Sequence, residues 1–265
     1  MADHATGEKF RLRFEKTGNL RLLSHHDLMR CAERMLRRAD LPFRSTAGFH
    51  PQPRFVFSLS LPLGVAGLRE VAELELLRPL TATNVLDRLN QQSPDGLRFL
   101  ECRIVPMSAS AVPRRAVYTL ELPPARVDEA TASCERLMQL DKLWIDKYHP
   151  RPRQVNVRPY LRELRVNGSI LMLDFWVTGQ GTARAEELLK ELGLADLLTA
   201  GFVLARAVLE LRDETPADVP DQPPDGPPET APLNHTPATV AAGDEDDSAM
   251  RSATWGLSPN GPVVE

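Results

Sequence analysis

Residues 24–39 read SHHDLMRCAERMLRRA and predict a single amphipathic helix, from which the rest of the fold can be worked out. Successive helical residues advance by about 100°, so four arginines fall on one stripe and the opposite face is apolar. The stripe comprises Arg30, Arg34, Arg37 and Arg38, and the apolar face comprises Leu28, Ala32, Met35, Leu36 and Ala39. Ser24, with Asp27 three residues later, is typical of a helix N-cap. The sequence therefore predicts one core face and one cationic face.

Alternating apolar residues on both sides of this helix predict β-strands. Residues 9–16 place Phe10, Leu12 and Phe14 on one face and charged residues on the other. Further strands are predicted at 54–61, 70–77 and 97–105, and a second helix at 81–92. The resulting βαββαβ order is that of a ferredoxin-like half.

Residues 113–212 follow a similar plan, although no sequence repeat is visible. The dipeptide Asn167-Gly168 predicts a hairpin between strands 163–166 and 169–177. The other predicted elements are strands 116–122, 143–148, 154–161 and 202–212 and helices 124–140 and 183–192. We therefore predict an α+β protein of two ferredoxin-like halves with antiparallel sheets, at 9–112 and 113–212, after a flexible N-terminus at 1–8.

The net charge of the chain, −4, hides two regions of opposite charge. Residues 1–212 contain 31 Lys and Arg and 25 Asp and Glu, a net +6, whereas residues 213–265 contain 1 and 11, a net −10. The second region also contains 10 of the 23 prolines. Such a composition buries too little apolar surface to offset the entropy of ordering. We predict a disordered acidic tail at 213–265.

Composition and spacing exclude several other classes. Three widely spaced cysteines, Cys31, Cys102 and Cys134, match no zinc or iron–sulfur pattern, and we expect reduced thiols. The polar start of the chain does not look like a secretory signal, and no apolar run approaches the roughly 20 residues of a membrane span. No phosphate-loop, dinucleotide or nucleophile-elbow pattern occurs. We expect a cytoplasmic protein that does not contact membranes and has no cofactor of its own.

Two groups of basic residues are candidates for binding RNA or another anion. Arginine forks bind phosphate, and aromatic rings nearby can stack on bases. The first group comprises Arg30, Arg34, Arg37, Arg38, Arg44, His50 and Arg54, and the second comprises Arg151, Arg153 and Arg158. Prolines stiffen the loops around His50 and His149. An alternative is that carboxylates neutralise the basic residues, with Glu33 pairing with Arg37 and an ion ladder joining Arg11 and Arg13 to Glu73 and Glu75.

The motif Ser24-His25-His26-Asp27 provides catalytic candidates. His25 or His26 could act as a general base on a ribose hydroxyl while arginines hold the phosphate, with Asp27 nearby. The alternative is a helix cap and a packed ring. Metal binding by His25, His26, Asp27 and His50 is disfavoured, because adjacent helical histidines diverge by about 100°. We predict no metal site.

With these residues in view, the chain resembles the radical-SAM-linked domain proteins, a bacterial family of unknown function. The resemblance covers residues 9–212 and is dense in the first half. It rests on the runs 13–21 (RFEKTGNLR), 23–30 (LSHHDLMR), 37–42 (RRADLP), 48–54 (GFHPQPR) and 61–65 (LPLGV). The family name implies a partner, a radical S-adenosylmethionine enzyme with an iron–sulfur cluster. This chain lacks closely spaced cysteines, so it would be the linked component.

The sequence thus leads to one functional prediction and two alternatives. We predict a non-catalytic partner of a radical S-adenosylmethionine enzyme that presents RNA or another anionic substrate through its arginines. The first alternative is a metal-independent endoribonuclease similar to the CRISPR repeat-processing proteins, with His25 or His26 as the base. The second is a protein-binding adaptor, whose basic face the acidic tail could screen.

Overall fold

A single eight-stranded sheet forms the centre of the protein, in a computed structural model that describes residues 7–216, 219 and 222–233. Its first half contains four strands and two helices in βαββαβ order. These are β1 (Glu8–Lys16), α1 (His25–Arg38), β2 (Phe55–Phe57), β3 (Ala66–Leu76), α2 (Ala82–Gln92) and β4 (Leu97–Val105). A short 3-10 helix, Gly18–Leu22, links β1 to α1. The predicted elements of this half are therefore confirmed, although β2 is shorter than predicted.

The second half contributes four more strands to the same sheet and two to a separate small one. Its elements are β5 (Pro113–Glu121), α3 (Val127–Met138), β6 (Trp144–Lys147), β7 (Arg153–Asn156), β8 (Leu161–Asn167), β9 (Ile170–Trp176), α4 (Ala185–Glu191), α5 (Asp196–Thr199) and β10 (Ala205–Leu211). β8 and β9 form the hairpin predicted at Asn167-Gly168. β6 and β7 pair outside the large sheet.

The strand order of the large sheet is β4-β1-β3-β10-β5-β9-β8, with β2 also paired to β3. In each half the first strand lies between the last and the third. The halves join where β10 runs parallel to the start of β3, with Ala205 opposite Ala66 and Arg206 opposite Gly67. The prediction of separate antiparallel sheets is therefore wrong: the sheet is mixed. An unpaired edge in each half is covered by the other half.

Two hydrophobic cores lie among the described residues, one centred on each half, and the second also includes Leu61, Val65 and Val71 of the first half. The first packs Ala32, Met35 and Leu36 of α1 against alternate residues of β1 and β3. Leu28 of α1 is also buried. The second packs α3, α4 and α5 against β5, β8 and β9. The predicted apolar face of α1 is confirmed, because the helical period places these residues on the side that faces the sheet.

The chain after β10 is partly ordered, contrary to the prediction of a disordered tail at 213–265. A 3-10 turn, Arg212–Glu214, follows β10, and β11 (Thr230–Ala231) pairs with β7. Its carboxylates find partners on the folded body: Glu229 lies 2.7 Å from Lys142. Composition alone does not reveal these ion pairs, because they form with groups that are distant in the sequence. Residues 1–6 of the predicted flexible N-terminus, and 217–218, 220–221 and 234–265 of the predicted tail, lie outside the described residues; Glu8 already belongs to β1.

The sheet face that points away from α1 carries ion pairs. Arg11 contacts Glu73 at 2.8 Å, as the predicted ladder requires. Arg13 lies opposite Val71 in the register and pairs with Glu214 of the turn, so its predicted pairing with Glu75 is wrong. Arg11 also contacts Asp213 at 2.8 Å, which holds the pKa of that carboxyl below its usual range. The turn therefore covers charged groups that an isolated strand would leave in water.

Candidate functional site

Helix α1 begins at the predicted N-cap. The Ser24 side chain accepts a hydrogen bond from the Asp27 backbone N–H at 3.2 Å, and its hydroxyl donates to the Asp27 carboxylate at 2.8 Å. This arrangement satisfies one of the unpaired N–H groups at the start of the helix. It also fixes His25 as the first helical residue, on the side that turns towards the sheet.

The predicted arginine stripe of α1 is exposed. Arg30 is 73% exposed and lies 3.6 Å from Asp27, and Arg37 contacts Glu33 at 2.8 Å, as predicted. Arg38 donates to the backbone carbonyl of Gln92 at 3.0 Å. Arg34 is exposed and forms no ion pair with a described residue. Exposed pairs of this kind contribute little, so these guanidinium groups stay accessible to an anion.

The stripe continues into the loop that precedes β2. The Arg37 guanidinium lies over the Phe43 ring, 5.4 Å from its centroid. The neighbouring Arg44 lies 3.7 Å from Glu75, and Arg54 lies 3.4 Å from the same carboxylate. An isolated antiparallel β-bridge joins Ser45 to Pro53 at the base of the loop.

Phe49, at the tip of this loop, is fully exposed, and His50 beside it is also exposed. We call this surface the basic patch: Arg30, Arg34, Arg37, Arg38, Arg44, Phe49, His50 and Arg54. Its six arginines contact three carboxylates among the described residues, those of Asp27, Glu33 and Glu75, so three positive charges remain in excess. An exposed aromatic ring in such a surface has no packing role in the core.

The second predicted basic group lies elsewhere. Arg151 is exposed in the loop between β6 and β7, the strands of the small sheet. Arg153 donates to the carbonyls of His149 and Arg151 at 3.3 and 3.5 Å. The structure therefore places the two basic loops on different sheets.

Arg158, in the same predicted group, is held by backbone carbonyls. It donates to Leu140 at 2.9 Å, to Met138 at 2.9 Å and to Leu161 at 3.3 Å. The bonds to Met138 and Leu140 satisfy carbonyls at the C-terminal end of α3, where a helix leaves its acceptors unpaired, and the third bond ties the side chain to the start of β8. Its guanidinium is thus used inside the fold.

The three catalytic candidates diverge. His26 and Asp27 are exposed, whereas His25 is half-buried, with its ring centroid 5.8 Å from that of Phe57. Burial lowers the pKa of His25, and the charges of His26 and Lys16 act in the same direction. A neutral imidazole could accept a proton. Within the described part of the chain, no group of three or more His, Cys, Asp or Glu side chains is arranged to hold a metal ion.

His25 lies at a small cleft that the sequence did not predict. The lining residues are Phe14, Lys16, His25, Leu28, Phe57, Leu59, Leu61 and Glu70. Lys16 and Glu70 are almost fully buried there. A signal was present in the sequence: Lys16 continues the alternation Phe10, Leu12, Phe14 and so falls on the core face of β1.

Glu70 belongs to a buried ion pair between the two halves. Arg206 of β10 binds its carboxylate through Nε, at 2.8 Å, and through Nη2. Burial disfavours the charge of Arg206, but Glu70 and Tyr118 more than offset this effect and hold its pKa above the usual range. The pair fixes β10 against β3 at the seam of the sheet.

The fold and these sites define an α+β protein with a mixed sheet, an exposed basic patch and a charged cleft. Residues 9–185 match the model of a family described as uncharacterized protein conserved in bacteria, DUF2344, and the chain belongs to this family. A comparison with curated proteins gives no match. Among the described residues, none of the helices has both the length and the hydrophobicity that a bilayer span requires.

Proposed function

We propose that the protein binds RNA on the basic patch and presents it to a radical S-adenosylmethionine enzyme, without catalysis of its own. The observation that carries the proposal is the fully exposed Phe49 beside an excess of arginine charge. Guanidinium groups bind phosphates, and an exposed ring can stack on an unpaired base. The guanidinium groups are normally hydrated, whereas the exposed Phe49 ring gains nothing from contact with water and would be covered by a stacked base.

The ion pairs within the patch do not oppose this function. Arg30, Arg37 and Arg54 lie at 3.6, 2.8 and 3.4 Å from their carboxylates and all remain at least 47% exposed. Exposed pairs contribute roughly 0–1 kcal/mol. A phosphate chain that contacts several arginines releases counterions from RNA and can displace such partners.

The architecture is compatible with the same function. We infer that each half is a ferredoxin-like unit, since β4-β1-β3-β2 and β10-β5-β9-β8 repeat one strand order. The radical S-adenosylmethionine partner is inferred from the family resemblance. The three cysteines, Cys31, Cys102 and Cys134, are free and dispersed, so the cluster would belong to the partner.

Fluorescence anisotropy of a short single-stranded RNA, measured over a range of salt concentrations, tests the proposal. We expect Arg34→Gln to reduce the slope of log affinity against log salt by about one phosphate contact, and Phe49→Ala to cost about 1–3 kcal/mol of binding. Arg165→Gln is the matched control, because Arg165 is an exposed arginine on β8. Binding that is weak, insensitive to salt or equally affected by Arg165→Gln would contradict the proposal.

The half-buried His25 beside Lys16 favours one alternative, a metal-independent endoribonuclease. A neutral imidazole next to a cation could deprotonate a ribose hydroxyl. In that case purified protein would cleave RNA in the presence of a chelator, and His25→Ala would abolish cleavage. RNA that is bound and recovered intact would exclude the nuclease. Co-purification of the enzyme partner after nuclease treatment, without any RNA affinity, would instead favour the adaptor.

A further inference from the structure

We propose that the cleft at Lys16 is a binding site for an oxyanion, a carboxylate or a phosphate group, which Lys16 Nζ holds and which enters past His25. This site is separate from the basic patch. It lies on the sheet side of α1, at the N-terminal end of the helix, and does not depend on whether the protein binds RNA.

The first support is a buried charge with no counter-charge of its own. The Lys16 side chain is almost completely buried, and its ammonium donates one hydrogen bond, to the Leu23 carbonyl at 3.0 Å. No carboxylate among the described residues forms an ion pair with it. An ammonium has three donors, so donor capacity remains. Burial lowers the pKa of Lys16; the charge of Glu70 offsets only part of this effect, and the charge of Arg206 acts in the same direction as burial.

Glu70 lines the cleft but forms no ion pair with Lys16. Both of its oxygens are bound by Arg206, which in turn donates to Tyr118 Oη at 3.2 Å and to the carbonyls of Ser60 and Leu59 at 3.2 and 3.0 Å. Arg206 and Glu70 neutralise each other. The cluster at the centre of the sheet therefore carries the charge of Lys16 in excess, and burying such a charge is costly unless an anion compensates it.

The shape of the cleft fits a single anionic oxygen. Its free volume is about 10 Å³, room for roughly one water-sized atom. Its walls are largely apolar, from Phe14, Leu28, Phe57 and Leu61, which strengthens the attraction between Lys16 and an anion by excluding water. His25, Phe57 and Leu59 are the half-buried members of the lining.

The lining residues come from separate parts of the chain. Five of the eight, Phe14, Lys16, His25, Leu28 and Leu61, belong to the runs by which the chain resembles its family. The fold therefore brings Leu61 to residues 14–28, around one charged group.

Lysine-selective ¹³C NMR of the full chain tests the site directly, because the sequence contains only five lysines. The probes are sodium acetate and inorganic phosphate, each titrated at constant ionic strength. We expect a saturable shift of the Lys16 resonance and a rise in its pKa, since a bound anion favours the ammonium. A response to acetate alone identifies a carboxylate site, and a response to phosphate alone identifies a phosphate site.

Two variants provide the controls. Lys16→Met assigns the resonance and should abolish saturable anion binding in calorimetry, whereas Arg34→Gln, in the basic patch, should leave both responses unchanged. If Lys16→Met does not fold, titration of the unmodified chain still decides. A Lys16 resonance that responds to neither anion, or shifts no more than those of the other lysines, would overturn the proposal. RNA binding without a Lys16 response would support the proposed function and overturn the anion site. A Lys16 response without RNA binding would support the anion site and overturn the proposed function.

Discussion

The pairs Glu70–Arg206 and Glu33–Arg37 contain the same chemical groups in two environments. Arg206 and Glu70 are buried at the seam of the sheet, whereas Arg37 and Glu33 lie on the outer face of α1. Water screens the outer pair, so either partner can be lost or exchanged at small cost. The buried pair is different, because removal of one partner leaves an uncompensated charge. Burial therefore decides which arginines hold the fold together and which remain available to a ligand.

The sharpest test of this comparison is Glu70→Gln. It leaves Arg206 buried without its counter-charge and should lower the free energy of unfolding by about 3–5 kcal/mol, measured by urea denaturation. The double variant Glu70→Leu with Arg206→Met removes both charges and should be much closer to the unmodified protein. If Glu70→Gln lowers the free energy of unfolding no more than the loss of an exposed ion pair does, the distinction between buried and exposed pairs is wrong.

Arg158 is intermediate between the buried Arg206 and the exposed Arg37. Arg158→Met removes its bonds to three carbonyls and should cost about 2 kcal/mol of stability in the same assay. Arg151→Met, in the exposed loop nearby, should change stability by less than about 0.5 kcal/mol. If Arg158→Met instead leaves stability unchanged and weakens RNA binding, Arg158 is a recognition residue, as the sequence predicted.

Substitution of Lys16 is expected to stabilise the protein, whereas the substitutions of Glu70 and Arg158 are expected to destabilise it. Lys16→Met removes a buried ammonium that lacks an ion pair and should stabilise the protein by about 1 kcal/mol at pH 7. Burial lowers the pKa of Lys16, so above that pKa, and up to the ordinary value of 10.5, the unfolded chain binds its proton more strongly than the folded one. Stability of the unmodified protein therefore rises with pH in this window. The gain from Lys16→Met should shrink there, and a gain that stays constant up to pH 10.5 would contradict the assignment.

The smallest expected effect comes from the outer pair. Glu33→Gln should lower stability by no more than about 0.5 kcal/mol. It should also strengthen RNA binding roughly twofold, because the Glu33 carboxylate no longer competes with an RNA phosphate for Arg37. Glu163→Gln, which removes the partner of Arg165 on β8, is the control: it should leave RNA affinity unchanged. Equal effects of the two variants on RNA binding would show that the patch has no special role.

Local sequence predicted much of α1 and of the sheet. Ser24 caps the helix, the arginines of the stripe are exposed, and Glu33 pairs with Arg37, because these features depend on residues three or four positions apart. The alternation in β1 likewise predicted its core face. It did not predict Lys16 as part of a site, because alternation shows which face a residue occupies and not which distant groups surround it.

The sequence by itself therefore determined the features that follow from periodicity. These are which residues share a face of a helix or strand, and which neighbouring residues can cap a helix or form an ion pair. Only the tertiary structure decided which distant charges meet. Arg206 reaches Glu70 across 136 positions, and Arg11 reaches Asp213 across 202. The parallel contact of β10 with β3 creates the first meeting, and the turn after β10 creates the second. Such contacts depend on which strands become neighbours, and a local pattern contains no information about that choice.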